Sequence, residues 1–361
     1  MIHPPVPPRP ARVLAAPLLA LALASCGGGS GGEGAGPTVV EDPVGATSSA
    51  PDAGACGEVT LARMNWASAE THAEIDRLFL EAGLGCEVRL VDGDTLPTFE
   101  SMRASGVPDV APELWTAGVA EDLDAAVAEG SVALGARTIA EGGLEGWWIP
   151  GDLAAAHPEI RTVGDALARP DLFPAPGDAS LGAIHTCPSG WNCAVINENL
   201  FRAHGAASAG FTLVRPDSAA ALDTALDGAV AAGEGWLGYY WSPTARTGRH
   251  GLVRLEGPPH DPVEWERCTT VPDCTEPRPI DYAPSEVRVL MTAGFAERER
   301  AAADYLSRRE LDNATVNAVL EWIDDEGASP AEAARHFVDE HEAVWTAWVD
   351  EAVAARVRAA P

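Results

Sequence analysis

The chain has no lysine. All 24 of its basic side chains are arginine, set against 54 Asp and Glu, and the formal net charge over 361 residues is −30. Without lysine there is no Walker-type loop, whose lysine reaches the phosphates of a nucleotide. The excess of acid argues against nucleic acid, which is bound by neutralising phosphates, and against docking on anionic lipid through a basic patch. A nucleophile elbow is also missing. The one Gly-x-Ser-x-Gly run, Gly28–Gly32, lies in a glycine-rich tract and lacks the strand-to-helix turn that such an elbow needs. His185 and Cys187 are close neighbours, but no second Cys/His pair follows at metal-ligand spacing. His157, His204, His250 and His260 are scattered among turns and helix ends. No internal repeat is evident. The expectation is a protein that is not an enzyme and uses neither a metal nor a cofactor.

At the N-terminus, Arg9 and Arg12 precede a mostly apolar run, Val13–Ala24. That run is too short for a bilayer, which needs about 20 residues, and fits an export signal. Leu23-Ala24-Ser25-Cys26 follows. Small residues before a Cys at this place resemble the lipobox of bacterial lipoproteins, which implies cleavage after Ser25 and a lipid on Cys26. Gly27–Ala55 contains Gly-Gly-Gly-Ser-Gly-Gly at 27–32 and has no helical or strand period. It reads as a flexible tether. Residues 1–25 are thus expected to be a signal peptide and 26–56 a lipidated tether.

Six of the seven cysteines remain once Cys26 is set aside, an even number that suits an oxidising compartment. Cys187 and Cys193 bracket Pro-Ser-Gly-Trp-Asn, and Cys268 and Cys274 bracket Thr-Thr-Val-Pro-Asp. Two close pairs with turn residues between them select Cys187–Cys193, Cys268–Cys274 and Cys56–Cys86 among the fifteen connectivities of six cysteines. Short loops of this kind serve to hold a segment in one shape.

Beyond the tether, strands and helices alternate. Glu58–Met64 alternates as a first strand, and a helix from Ser68 places Ile75, Leu78, Phe79 and Ala82 on one face before Gly83. Cys86–Val91 reads as a second strand, Leu96–Ala104 as a helix stopped by Gly106, and Val110 opens a third strand. Such βαβαβ order implies a parallel sheet with helices on its faces. A second unit fits Ile184–Tyr240, with helices at about Ala194–His204 and Ala219–Ala232 and an apolar strand at Trp236–Trp241. Ser329-Pro330-Ala331-Glu332 is a capping box with proline at the first helical position. Trp345 and Trp348 then recur at helical spacing as core residues.

Eleven tryptophans are many for this length, and most are expected to pack in the core, but three sit elsewhere. Trp115 follows a strand, Trp191 lies within the small cysteine loop, and Trp241 ends the run Trp-Leu-Gly-Tyr-Tyr-Trp. Ligands sit at the carboxyl ends of strands in parallel α/β sheets, and indole faces attract a cation. Several stretches then carry a family resemblance. They are Cys187-Pro188-Ser189-Gly190-Trp191-Asn192-Cys193 with Ile196-Asn197, Tyr239-Tyr240-Trp241-Ser242-Pro243, Pro108-Asp109-Val110 through Trp115, and Trp348-Val349-Asp350-Glu351-Ala352. From about Val59 to Val357 the chain resembles the substrate-binding proteins of ABC importers for glycine betaine and related compatible solutes.

The resemblance implies a two-lobed α/β fold of the periplasmic-binding-protein type, with a hinge and a ligand cleft between lobes. Lobe 1 would be 57–146 with 256–361, and lobe 2 147–255. Trp115, Trp191 and Trp241 would cage a quaternary ammonium; Tyr239 and Tyr240 alternate along one strand, so only one of them is expected to face the cleft, and Tyr240 is taken as that residue. The backbone N–H groups of Asn192 and Cys193 would hold a carboxylate at a helix N-terminus. Some members carry a histidine where Val119 stands, and the family often has glycine at the place of Asn192. The residues leave open whether Trp66, Trp147 and Trp148 line the cleft or pack, whether Arg246 reaches the ligand, and whether Asp109 and Glu113 face a cation, cap or face solvent. The implied partners are a small quaternary ammonium solute, ABC permease membrane subunits and the membrane through the lipid, at the extracytoplasmic face of the cell. A ligand-sensing lipoprotein without transport is the alternative.

Overall fold

The structure is a computed structural model that describes residues 56–361. The expected signal at 1–25, the lipidation site Cys26 and the tether as far as Ala55 lie outside the described residues.

Ten strands form one mixed sheet: β1 Glu58–Met64, β2 Glu87–Gly93, β3 Val110–Trp115, β4 Val132–Ile149, β5 Pro174–Ala175, β6 Asp178–His185, β7 Phe211–Val214, β8 Gly238–Ser242, β9 Val253–Arg254 and β10 Ser285–Thr292. The path runs β2-β1-β3-β10-β4-β8-β6-β5, with β7 on β6 and β9 on β4. The expected parallel pairs are present, since β2 and β3 both run parallel to β1 and β7 runs parallel to β6. An all-parallel sheet is not. β10 returns antiparallel between β3 and β4, and β8 pairs antiparallel to β4.

The strand that joins the two parts, β4, was not expected. Its 18 residues include Gly135, Gly142, Gly143 and Gly146, which interrupt the apolar–polar alternation by which a strand is read. Its residues up to Gly143 pair with β10, and from Leu144 onward they pair with β8 and β9. The sheet therefore changes partners at Gly143–Leu144.

Helices begin and end where local chemistry directs. Ala67–Leu78 opens with Trp66 at its cap position, and Thr95–Ser105 ends on Gly106 at φ 71°. Cys193–Ala203 starts one residue before the expected Ala194. Pro330–Glu340 carries the reciprocal Ser329–Glu332 capping box. Trp345 and Trp348 are buried and pack around Phe79 at centroid distances of 5.5 and 5.7 Å. All three disulfides pair as the spacing predicts: Cys56–Cys86, Cys187–Cys193 and Cys268–Cys274. Among the described residues, no helix is long and apolar enough to cross a membrane.

One buried ion pair ties helix to strand beneath the later site. Arg309 and Asp76 are both wholly buried, 2.9 Å apart. Arg309 also donates to the carbonyl of Pro112 in β3, and Tyr305 donates its hydroxyl to Asp76 at 2.7 Å. Removing one partner of such a pair strands the other charge in the interior. Asp76→Ala is expected to cost about 3–5 kcal/mol in urea unfolding. A loss below about 1 kcal/mol would show that Arg309 finds other compensation.

Candidate ligand-binding site

Two carboxylates and four indoles organise one cavity. The first carboxylate is Glu113, whose side chain is fully buried. β3 is buried along its whole length, and residues 113 and 115 share a face by the period of two. Glu113 Oε1 accepts from Trp66 Nε1 at 2.7 Å, from Trp115 Nε1 at 2.9 Å and from Ser68 Oγ at 2.9 Å. Its Oε2 lies 2.6 Å from His72 Nδ1. Burial alone would raise the Glu113 pKa, but His72 and the two indole N–H groups outweigh it and hold the group below the usual carboxylate range.

Trp191 and Trp241 meet this pair from the other part of the sheet. The Trp191 ring packs edge-to-face on Trp66 and on Trp241, each at 5.2 Å, and its Nε1 donates to Asn65 Oδ1 at 2.6 Å. The Cys187–Cys193 loop that carries Trp191 leads directly into the helix Cys193–Ala203. Asn192 sits at that helix's cap position and donates its side-chain amide to the carbonyl of Trp115 at 3.3 Å. Among the described residues, the backbone N–H groups of Asn192 and Cys193 have no acceptor.

These elements surround one small, half-open cavity. Trp66, Trp115, Trp191 and Trp241 line it, with Asn192 and Cys193 at the helix start and Thr95 beside them. Two close approaches require glycine. A Cβ at Gly143 would collide with the Trp115 ring, and one at Gly118 would collide with the Asn192 amide.

Tyr240 does not line this cavity. Strand β8 alternates, so Tyr239 and Trp241 face it while Tyr240 points away and donates to Asp223 at 2.8 Å. Tyr239 instead donates to the second carboxylate, Glu145, at 2.8 Å. Glu145 lines the cavity, is only 2% exposed, and burial pushes its pKa up to about 7 against the Tyr239 hydrogen bond and the nearby Arg254 charge.

The residues left open in the sequence also find their places. Trp66 lines the cavity. Trp147 and Trp148 are buried elsewhere, bonded to Asn197 and to the Tyr240 carbonyl. Arg246 is paired with Asp223 and Asp227 beside a separate cavity. Asp109 accepts from Thr60 and pairs with Arg298. Val119, where some relatives place a histidine, is buried. Glu145 and Tyr239 were not singled out as site residues. Glu145 sits among glycines with no strand period, and only a known register tells Tyr239 from Tyr240.

Comparison with known proteins follows from this geometry. The family model for the substrate-binding domain of the ABC-type glycine betaine transport system matches residues 57–340. A glycine betaine/L-proline-binding protein (ProX) from Borrelia burgdorferi superposes with a TM-score of 0.65 at 16% identity, over 83% of this chain and 99% of that one. Lactococcal OpuAC, in its closed form with glycine betaine, gives 0.61 at 18% identity over 81% and 99%. A choline-binding protein of an ABC transporter, in complex with choline, gives 0.64 at 18% identity over 84% and 98%. A search of curated protein sequences finds no match. The structural likenesses establish the two-lobed α/β fold of periplasmic binding proteins. With the family model matching most of its length, the chain belongs to the substrate-binding domains of ABC-type glycine betaine transport systems.

Proposed function

We propose that this protein captures a quaternary ammonium solute in the tryptophan-lined cavity and delivers it to the membrane subunits of an ABC importer. The observation that carries the reading is the gathering of Trp66, Trp115, Trp191 and Trp241 around one cavity. Indole faces attract a methylated ammonium, which has no N–H to offer a conventional acceptor. The unpaired N–H groups of Asn192 and Cys193 suit a ligand carboxylate or hydroxyl at the start of a helix. The cycle involves no covalent chemistry. A solute that touches both halves of the molecule favours the closed state by its differential contacts.

In this reading the lobes are 57–146 with 256–361, and 147–255, with the ligand between them. Trp66 and Trp115 come from the first lobe, Trp191 and Trp241 from the second. Lipid on Cys26 and the following tether would keep the protein at the extracytoplasmic face of the membrane, beside its permease.

Four measurements test this. Glycine betaine, proline betaine, carnitine and choline are titrated in parallel by calorimetry, and at least one is expected to bind; silence from all four refutes the reading. For the solute that binds, Trp191→Ala is expected to cost at least about 1 kcal/mol, the scale of a desolvated cation–π contact. Glu113→Gln removes the charged acceptor shared by two cage indoles and is expected to weaken the same solute by about 1–3 kcal/mol. An unchanged isotherm would mean that the rings hold their places without it. Cys26→Ser is expected to move the protein from the membrane to the soluble fraction, and retention at the membrane would exclude lipid as its anchor.

A further inference from the structure

The cavity lining holds one carboxylate, Glu145, that forms no ion pair with any described residue. Glu145 lies on β4 directly across from Trp241 on β8, with its side chain 2% exposed and lining the space between the indoles. Its Oε1 accepts from the Tyr239 hydroxyl, while its Oε2 accepts no hydrogen bond from any described residue. The nearest cation is committed elsewhere. Arg254 donates Nε to the backbone carbonyl of Glu145 at 2.8 Å and turns its other nitrogens to Asp281. The remaining ionisable groups around it bring no positive charge. Glu113 lies behind Trp66 and Trp115 with its own donors, and Tyr282 bonds Asn197. A buried charge without a partner is costly, and it marks a place where an opposite charge belongs.

We propose that Glu145 is the counter-charge of the cage, facing the ligand's permanently charged nitrogen and selecting a ligand of net positive charge over a zwitterion with the same head. The inference rests on the quaternary ammonium reading above. Choline and glycine betaine present the same trimethylammonium to the indoles. They differ in that betaine brings a second carboxylate into a cavity whose lining already contains one. Repulsion between like charges grows as they approach and as the surroundings become less polar. Glu145 thus discriminates by charge where shape does not. A second consequence concerns protons. Burial leaves Glu145 partly protonated at neutral pH when the site is empty. A bound cation lowers its pKa, so binding expels a proton, and affinity for a cation rises as pH climbs through about 7.

The test titrates the wild type and Glu145→Gln with choline, glycine betaine and 3,3-dimethylbutan-1-ol, the neutral carbon isostere of choline. The substitution is expected to weaken choline at least about tenfold, to lower the choline-to-betaine affinity ratio, and to leave the neutral alcohol within about threefold. A ratio equal in both proteins, or an equal loss for choline and the neutral alcohol, overturns the proposal; the carboxylate would then only hold Tyr239. If the variant gives no cooperative melt, the wild type alone decides. Calorimetry near pH 7 in buffers of different ionisation enthalpy is expected to show proton release with choline and none with the alcohol, and no release with choline overturns the proposal. Wild-type protein that binds neither choline nor glycine betaine overturns this inference, and silence from all four quaternary solutes overturns the functional reading as well. Wild-type binding with an unchanged ratio in the variant overturns this inference alone.

Discussion

The site depends on a carboxylate that has no contact with water. Glu113 is buried in the middle of the fold, where an ionised group is tolerated only if its oxygens are fully supplied with donors. Those donors are Trp66, Ser68, His72 and Trp115, which come from the turn after β1, the helix that follows it and the end of β3. Because two indoles donate to the same oxygen, the rings are fixed relative to each other as well as to the backbone. The requirement to satisfy one buried anion therefore becomes a requirement on the shape of a cavity wall. Arg309 reinforces it from below by gripping the Pro112 carbonyl, one residue before Glu113.

The opposite wall is held by different means. Trp191 is carried on a loop that a disulfide closes, and Asn65 anchors its indole nitrogen. The second short disulfide loop leans on the same helix, since Asn199 donates to the carbonyls of Cys268, Thr269 and Val271. Trp241 is fixed by its strand and by the Tyr239 and Tyr240 rings beside it. Asn192 and Gly118 bring the two walls into contact, where only a residue without a side chain leaves room for the amide. Both walls carry a carboxylate close to the rings, so the field inside the cavity favours positive charge.

Much of this was legible beforehand, for identifiable reasons. The alternation of Glu58–Met64, Gly106 after a helix and the box at Ser329–Glu332 are local signals, and the strand, helix end and cap follow them. The spacing of Cys187 and Cys193 determined a loop whose closure depends on nothing distant. What escaped was set by long-range pairing. β4 has no local period because its glycines answer to Trp115 and to β10, residues far away in the chain. The choice between Tyr239 and Tyr240 is a parity question, and parity is decided by the register with β4. Glu113 stands out only by its place beside Trp115, with its role left open, and Glu145 looks like any other acid in a chain that has 54 of them. Only burial separates them from the rest, and burial is a property of the assembled sheet.

The change of partners within β4 has a mechanical meaning. A single run of backbone is the outer strand of one half-sheet up to Gly143, and from Leu144 it pairs with β8 and β9 in the other. Gly142 just before the junction adopts φ 78°, and Gly143 presses its bare backbone against the Trp115 ring. The backbone at this crossover lies directly against a cage indole, so the position of that wall of the aromatic box is tied to the strand shared by the two half-sheets.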